Sequence, residues 1–280
     1  MGQWYRTPLT RRALLATGTA AVTLYAGLAA AQLEEVVVTA QKRESTLQET
    51  PVAVTALTAE TVETAQIRDL RDLQTLAPTL RATTRQSPGA SDFSIRGLGT
   101  SADNIGLEPS VGVFVDGVYR ARGGAAINDF LGLERVEVLR GPQSTLFGKN
   151  TPAGVISFIT REPGYEPYAE GELTVGELSQ ILMRAAIEGG IIEDTLAFRI
   201  DANLHERDGF LTNVITGDRI NNRDRYGLRG QLLFEPSDNV KARLIVDYNN
   251  IDENCCAAPF LENFAPNEAA LLALGATVLE

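Results

Sequence analysis

The sequence predicts an α+β domain followed by antiparallel β-strands of a transmembrane β-barrel, an incomplete one of about five strands. Three observations carry this reading. The first thirty residues have the order of an export signal. The stretch from there to about residue 160 mixes short β-branched runs with helical patterns. From about residue 166 to 252 the chain alternates apolar and polar residues in runs of about ten.

The signal comes first. Arg6, Arg11 and Arg12 precede a mildly apolar stretch that ends in Ala29-Ala30-Ala31, a small-residue cleavage pattern. Cleavage there makes Gln32 the new N-terminus. Thr10-Arg11-Arg12 faintly suggests the twin-arginine route, and the apolar stretch leaves the exporter open. The predicted divisions are 1–31 for the signal, 32–50 for an extended segment, 51–163 for the α+β domain and 164–280 for the barrel strands.

Charge narrows the partners. The 280 residues carry 25 Lys and Arg against 36 Asp and Glu, a formal net charge of −11. All three arginines of the signal are lost on cleavage and no acid is, so the exported chain is more acidic still. Such a polyanion is a poor nucleic-acid binder. No apolar run is long enough for a spanning helix, and the mean hydropathy of −0.05 excludes a helical membrane bundle. Neither point excludes a barrel, whose alternating strands average out.

In the first half, Thr58 to Ile67 opens on an N-cap residue and reads as helix. Asp69 to Leu76 places Leu70, Leu73 and Leu76 at helical spacing, and Pro78 ends it. Val52–Val54, Val111–Val115, Val136–Leu139 and Val155–Ile159 read as short strands between Gly- and Pro-marked loops. In the second half, Leu196, Phe198, Ile200, Ala202 and Leu204 oppose Arg199, Asp201, Asn203 and His205. Residues 225–235 and 240–249 repeat the pattern, and 168–176 and 180–188 do so more weakly. The connections Gly189–Asp194 and Pro236–Asn239 are short, whereas Asp208–Asn222 and everything past Asp252 are long. Short turns inside and long loops outside are the asymmetry of outer-membrane barrels. Five strands cannot close, so the chain is expected to be an N-terminal fragment or the product of a truncated gene.

No catalytic constellation stands out, and an enzyme is not expected. Gly141 to Asn150 imitates a phosphate loop, but with six intervening residues where four are needed and Asn150 where Ser or Thr should be. His205 lies alone on a polar strand face, which makes a solvated lumen residue rather than a metal ligand, and no metal or cofactor is expected. Cys255 and Cys256 are adjacent, so a bridge between them is strained; free thiols or pairing elsewhere remain open.

Four segments carry a family resemblance. Glu34, Glu35, Val36, Val37, Val38, Thr39 and Ala40 resemble a TonB box. Phe93-Ser-Ile-Arg96-Gly97 resembles the I-R-G segment of TonB-dependent receptor plugs, and Val113-Phe-Val-Asp116-Gly117-Val118-Tyr119 their apolar-D-G-V segment. Leu133-Glu-Arg-Val-Glu137-Val-Leu-Arg140-Gly141-Pro142, continuing through Phe147-Gly148 to Thr160, is similar to the long signature that closes the plug, with Phe147 where Tyr is usual. The order of the four segments is the family's order. The barrel region is far shorter than the family's, which has about 22 strands.

The resemblance implies a TonB-dependent outer-membrane receptor, exported through the periplasm, whose plug (51–163) gates a barrel set in outer-membrane lipid. It implies active uptake of a scarce ligand, a ferric siderophore before a carbohydrate or cobalamin, driven by the TonB complex of the inner membrane. Glu34–Ala40 would add as a strand to that partner, with Gln41–Thr50 as a polar tether. Arg96 and Arg140 resemble the plug arginines that pair with barrel carboxylates. Arg81, Arg85, Arg120 and Arg122 fall in plug loops expected to face outward, where they suit an anionic chelate or are instead paired with Asp103, Glu108 or barrel acids. The competing expectation is a periplasmic binding module that transports nothing.

Overall fold

A computed structural model describes residues 37–40, 42–43, 45–84, 91–101, 106–121, 130–213 and 216–255. The signal region, Glu34, Glu35, Val36, Arg85, Arg122 and Cys256 lie outside them. In chain order the strands are β1 (Val37–Val38), β2 (Ser45–Thr46), β3 (Val54–Thr58), β4 (Leu80–Thr84), β5 (Ser91–Ile95), β6 (Leu98–Gly99), β7 (Val111–Val115), β8 (Val118–Arg120), β9 (Leu133–Arg140) and β10 (Gly154–Thr160). There follow β11 (Tyr168–Gly176), β12 (Gln180–Ile192), β13 (Leu196–Arg207), β14 (Leu211–Thr212), β15 (Arg219–Ile220), β16 (Arg223–Ser237) and β17 (Val240–Ile251). Two short α-helices, α1 (Ala59–Thr64) and α2 (Ser144–Phe147), and a 3₁₀ turn at Asp72–Thr75 complete the described elements.

The first half is an α+β domain on a five-stranded sheet of order β3-β9-β10-β7-β8, with β10 and β7 parallel. β9 and β10 are central and buried on both faces, which is why they read as continuous β-branched runs. Val136, Val138, Leu139, Val155 and Ile156 are fully inaccessible. Val62 of α1, Leu73 of the 3₁₀ turn, and Phe93 and Ile95 of β5 close over the same core. Gly154 begins β10 where no side chain fits, because a Cβ there would sit 2.4 Å from the Leu139 carbonyl oxygen. Thr58 caps α1 as its sequence position predicts, accepting from the Thr61 amide at 3.3 Å. The helix is shorter than expected, however, and the expected Asp69–Leu76 helix is only a 3₁₀ turn. Asp69 causes this: its carboxylate accepts from the Arg71 and Asp72 amides, a local alternative to helical bonding.

The second half is one antiparallel sheet, β11-β12-β13-β16-β17, each strand next to its successor among the five. Its faces are inverted relative to a water-soluble sheet. Arg199, Asp201, Arg225, Arg229 and Gln231 are no more than 5% exposed. On the other face Leu173, Met183, Ile187, Leu228, Leu244 and Val246 are bare. These apolar side chains adjoin across strands, as in Met183 beside Leu204 and Tyr226, and Leu232 beside Leu244. A contiguous apolar face spread over five strands is unusual on a water-soluble surface. Along β16 it runs from Tyr226 to Phe234, roughly 27 Å of strand at about 3.4 Å per residue. A tilt of about 40° makes that roughly 20 Å of height, close to the ~25 Å apolar band of outer-membrane barrels.

The sequence-derived strands stand with longer ends, since β12 and β16 extend into the stretches expected to be turns. His205 differs from its expectation: it is buried on the inner face rather than solvated.

Candidate functional site

The site has three parts, and the first is the box. Only Val37, Val38, Thr39 and Ala40 of the expected box are described. They are not free. Val37 and Val38 pair with Thr46 and Ser45 of β2, so the expected tether folds back onto the box as a hairpin. Val38 and Ala40 are fully buried, while Val37 stays open to solvent. Thr39 donates its amide and its hydroxyl to Glu137 Oε1, at 2.7 and 3.1 Å. The same oxygen accepts from Arg135 Nε at 3.0 Å. Lys42 lies over the Phe147 ring, 5.3 Å from its centroid. The box is therefore stowed on the plug face. Glu137, which alternation alone would leave at the surface of β9, is buried because it holds that segment.

The second part is the seam between the α+β domain and the inner face of the large sheet. Asp116 and Gly117 both adopt positive φ, which turns β7 tightly into β8 and aims the Asp116 carboxylate sideways. That carboxylate accepts from the Thr160 amide (2.9 Å) and the Thr160 hydroxyl (3.0 Å), and pairs with Arg229 of β16. Arg243 of β17 stands 3.8 Å away and donates to Thr160 Oγ1 at 2.9 Å. Arg120 pairs with Asp247 at 3.1 Å. Nearer the other end of β16, Arg225 donates from Nη1 to Asp69 Oδ2 at 3.0 Å and holds both oxygens of Glu253. Burial pushes the Asp69 carboxyl up, but Arg71 and then Arg225 pull it further down, to about 2. Gly227 adds a steric notch, since its missing Cβ would lie 3.0 Å from Leu131 of the plug.

The seam carries ion pairs of both senses: the plug acids Asp69 and Asp116 face wall arginines, while the plug's Arg68 and Arg120 face Glu172 and Asp247 of the wall. Arg96 is exposed in a positive-φ turn, and Arg140 donates from Nε to the Ala53 carbonyl at 3.4 Å. Neither forms an ion pair among the described residues. Gly97, Gly141 and Gly148 also take positive φ, which explains glycine at those motif positions, and Pro142 follows the second of these turns.

The third part is the set of arginines assigned to ligand. Arg81 is exposed on β4 and has no ion pair among the described residues. Arg120 follows the second of the two expectations: Asp247 of the wall pairs with it across the seam at 3.1 Å. Glu108 pairs with Lys149 instead. Among the described residues no cluster of metal-ligating side chains is present. Cys255 is not a free thiol.

Residues 46–155 match the TonB-dependent receptor plug domain. The pesticin receptor of Yersinia pestis is 31% identical over 163 residues, covering 56% of this chain and 22% of that protein. The catecholate siderophore receptor Fiu of Escherichia coli K12 is 27% identical over 164 residues, covering 56% and 20%. The chain thus spans about a fifth of the length of the curated relatives it matches. Among solved structures, the ferric yersiniabactin uptake receptor FyuA of Yersinia pestis superposes with a TM-score of 0.62 at 26% identity, over 67% of this chain and 29% of that one. The ferripyoverdine receptor of the Pseudomonas aeruginosa outer membrane gives 0.64 at 19% identity, over 76% and 27%, a likeness of fold alone. Plug core, plug–wall seam and inside-out sheet agree with these matches: residues 46–155 form a TonB-dependent receptor plug domain, and the chain is similar over the plug and part of the barrel to TonB-dependent receptors of the outer membrane.

Proposed function

We propose that the chain forms the gate and the first wall strands of a receptor that takes up a ferric siderophore across the outer membrane, powered by the TonB complex. The observation that carries this is the inverted sheet with a folded domain on its polar face. A periplasmic binding module would hold that apolar face in water at a large hydrophobic cost. A wall with lipid on one side and a plug on the other has no such cost. The family consists of transport receptors rather than enzymes.

In this reading ligand binds on the outward side of the plug, and the box is the handle. Val37–Ala40 is β-branched and extended, so once lifted from Glu137 it can add as an edge strand to the partner's sheet. The charge argument for an anionic chelate rests on Arg81, Arg85 and Arg122, with Arg120 engaged in the seam. What supports a ferric siderophore is the substrate named for the relatives, which include catecholate and yersiniabactin receptors. The test is Val37→Pro in the receptor expressed from its native gene, with uptake followed using ⁵⁵Fe-labelled catecholate and hydroxamate chelates. Proline removes an amide that the added strand needs. Loss of energised uptake with chelate binding retained is expected; unaffected uptake would refute the role of the box.

A further inference from the structure

We infer that Arg225 couples Asp252–Cys255, the root of the expected outer loop, to the seating of the plug at Asp69, because both ends are held by its one guanidinium. The inference goes beyond the receptor reading and takes from it only the outward direction of that loop.

The geometry is specific. Asp252 and Asn254 are exposed at the root of the loop, yet the side chain of Glu253 between them is completely buried. It turns inward and grips Arg225 through Nε and Nη2, which fixes the plane of the guanidinium. That orientation leaves Nη1 directed at Asp69 Oδ2, 3.0 Å away on the plug. Glu253 therefore positions the group through which the wall holds Asp69. Arg71 shares Asp69 at 2.7 Å, and Arg223 lies 3.5 Å from Glu253.

Charge sets the sign of the coupling. Among the described residues, three arginines (Arg71, Arg223 and Arg225) face two buried carboxylates, Asp69 and Glu253. Withdrawing Glu253 removes the acid that aligns Arg225 and leaves Asp69 shared with Arg71. The Asp69–Arg225 bond loses both its alignment and its electrostatic setting, so the plug is held less firmly there. Linkage is reciprocal: weakening Asp69 must loosen the loop root by the same free energy. The preceding outer loop is tied to the same root. Asn221 donates its amide to the Asn254 carbonyl at 2.6 Å, Asn254 donates to Asn222 Oδ1 at 2.7 Å, and Arg207 donates to the Asn221 carbonyl at 2.7 Å. Two outer loops thus converge on one plug contact.

The chain carries its own reporter, since Cys255 lies two residues beyond Glu253. The experiment uses the receptor expressed from its native gene in intact cells, mildly reduced, and measures the rate of labelling by a membrane-impermeant maleimide. Asp69→Asn, a change in the plug, is expected to speed labelling about three-fold or more. Arg225→Lys keeps the charge but loses the fork, and is expected to do the same. Glu137→Gln, an equally buried plug change away from the seam, is expected to leave the rate within about two-fold of the unmodified receptor. Unchanged labelling in both Asp69→Asn and Arg225→Lys would overturn the inference, as would an equal rise in Glu137→Gln, which would mean general loosening of the plug. Labelling that requires a ruptured outer membrane would overturn the outward direction of the loop, and the inference with it.

Discussion

Asp116 is bonded to both plug and wall at the seam, and Asp116→Asn isolates what its charge contributes. Asparagine tolerates the positive φ of 48° at this position, so the β7–β8 turn is preserved. One acceptor oxygen survives to serve the Thr160 amide and hydroxyl. What is lost is the charge opposite Arg229, which is only 6% exposed at its side chain. Its remaining acid is Asp247, 3.7 Å away and shared with Arg120. A hydrogen bond to a charged group contributes about 1.5–3 kcal/mol, and breaking a buried pair from one side costs about 3–5 kcal/mol. Because an acceptor remains and Asp247 compensates in part, we expect a cost near the lower range, about 2–3 kcal/mol in plug seating. The assay is hydrogen–deuterium exchange in the detergent-solubilised receptor. The Thr160 amide and the neighbouring β7 and β10 amides should exchange roughly 30- to 150-fold faster if they open through local release of the plug. Exchange of β16 and β17 should stay unchanged. An unaltered Thr160 amide would refute the idea that this ion pair holds the plug to the wall.

Two further outcomes follow from the same geometry. Glu137→Gln keeps an acceptor for Thr39 but removes the charge that Thr39 and Arg135 share, a loss of about 1–2 kcal/mol; the Thr39 amide should exchange about ten-fold faster and an isolated TonB periplasmic domain should bind more tightly, both read by exchange mass spectrometry and titration. Asp69, pushed up by burial but held down to about 2 from 3.8 first by Arg71 and then by Arg225, stabilises the folded plug fully above its ordinary range, and that contribution is lost as pH falls through about 2. Only the Arg225 share bears on seating, so acid release of the plug between pH 5 and 2 should flatten slightly in Asp69→Asn when followed by tryptic accessibility.

The wall was readable because its pattern is local. Alternation along 196–205 and 225–235 gives strand, phase and the polar face in one pass, and the inverted burial needed only the membrane assumption. The central plug strands were readable for the complementary reason: Val111–Val115 and Val155–Ile159 are runs buried on both faces. β4, β5 and β6 were hidden among glycines and polar residues, although Leu80, Ala82, Phe93 and Ile95 keep a period of two over five-residue strands. The site was less readable because its contacts join residues far apart in the chain. Asp116 beside Gly117 reads as a turn, and nothing nearby announces Arg229, 113 residues later. Glu137 reads as the exposed member of an alternating pair until Thr39 is brought back against it from 98 residues away. Resemblance pointed to Arg96 and Arg140 for the seam, whereas the described strands make it with Asp69, Asp116, Arg68 and Arg120 of the plug.

The central claim is that the large sheet has lipid on its apolar face and the plug on its polar face. The most direct test places an environment-sensitive fluorophore, one at a time, at cysteines substituted for Leu228, Leu244 and Val246, and for Gln231 on the opposite face. The receptor is reconstituted in bilayers with and without brominated acyl chains. Quenching at the first three positions, and none at Gln231→Cys, is expected from their alternation across β16 and β17. Equal quenching at all four, or at none, would contradict a wall with lipid outside and a plug within.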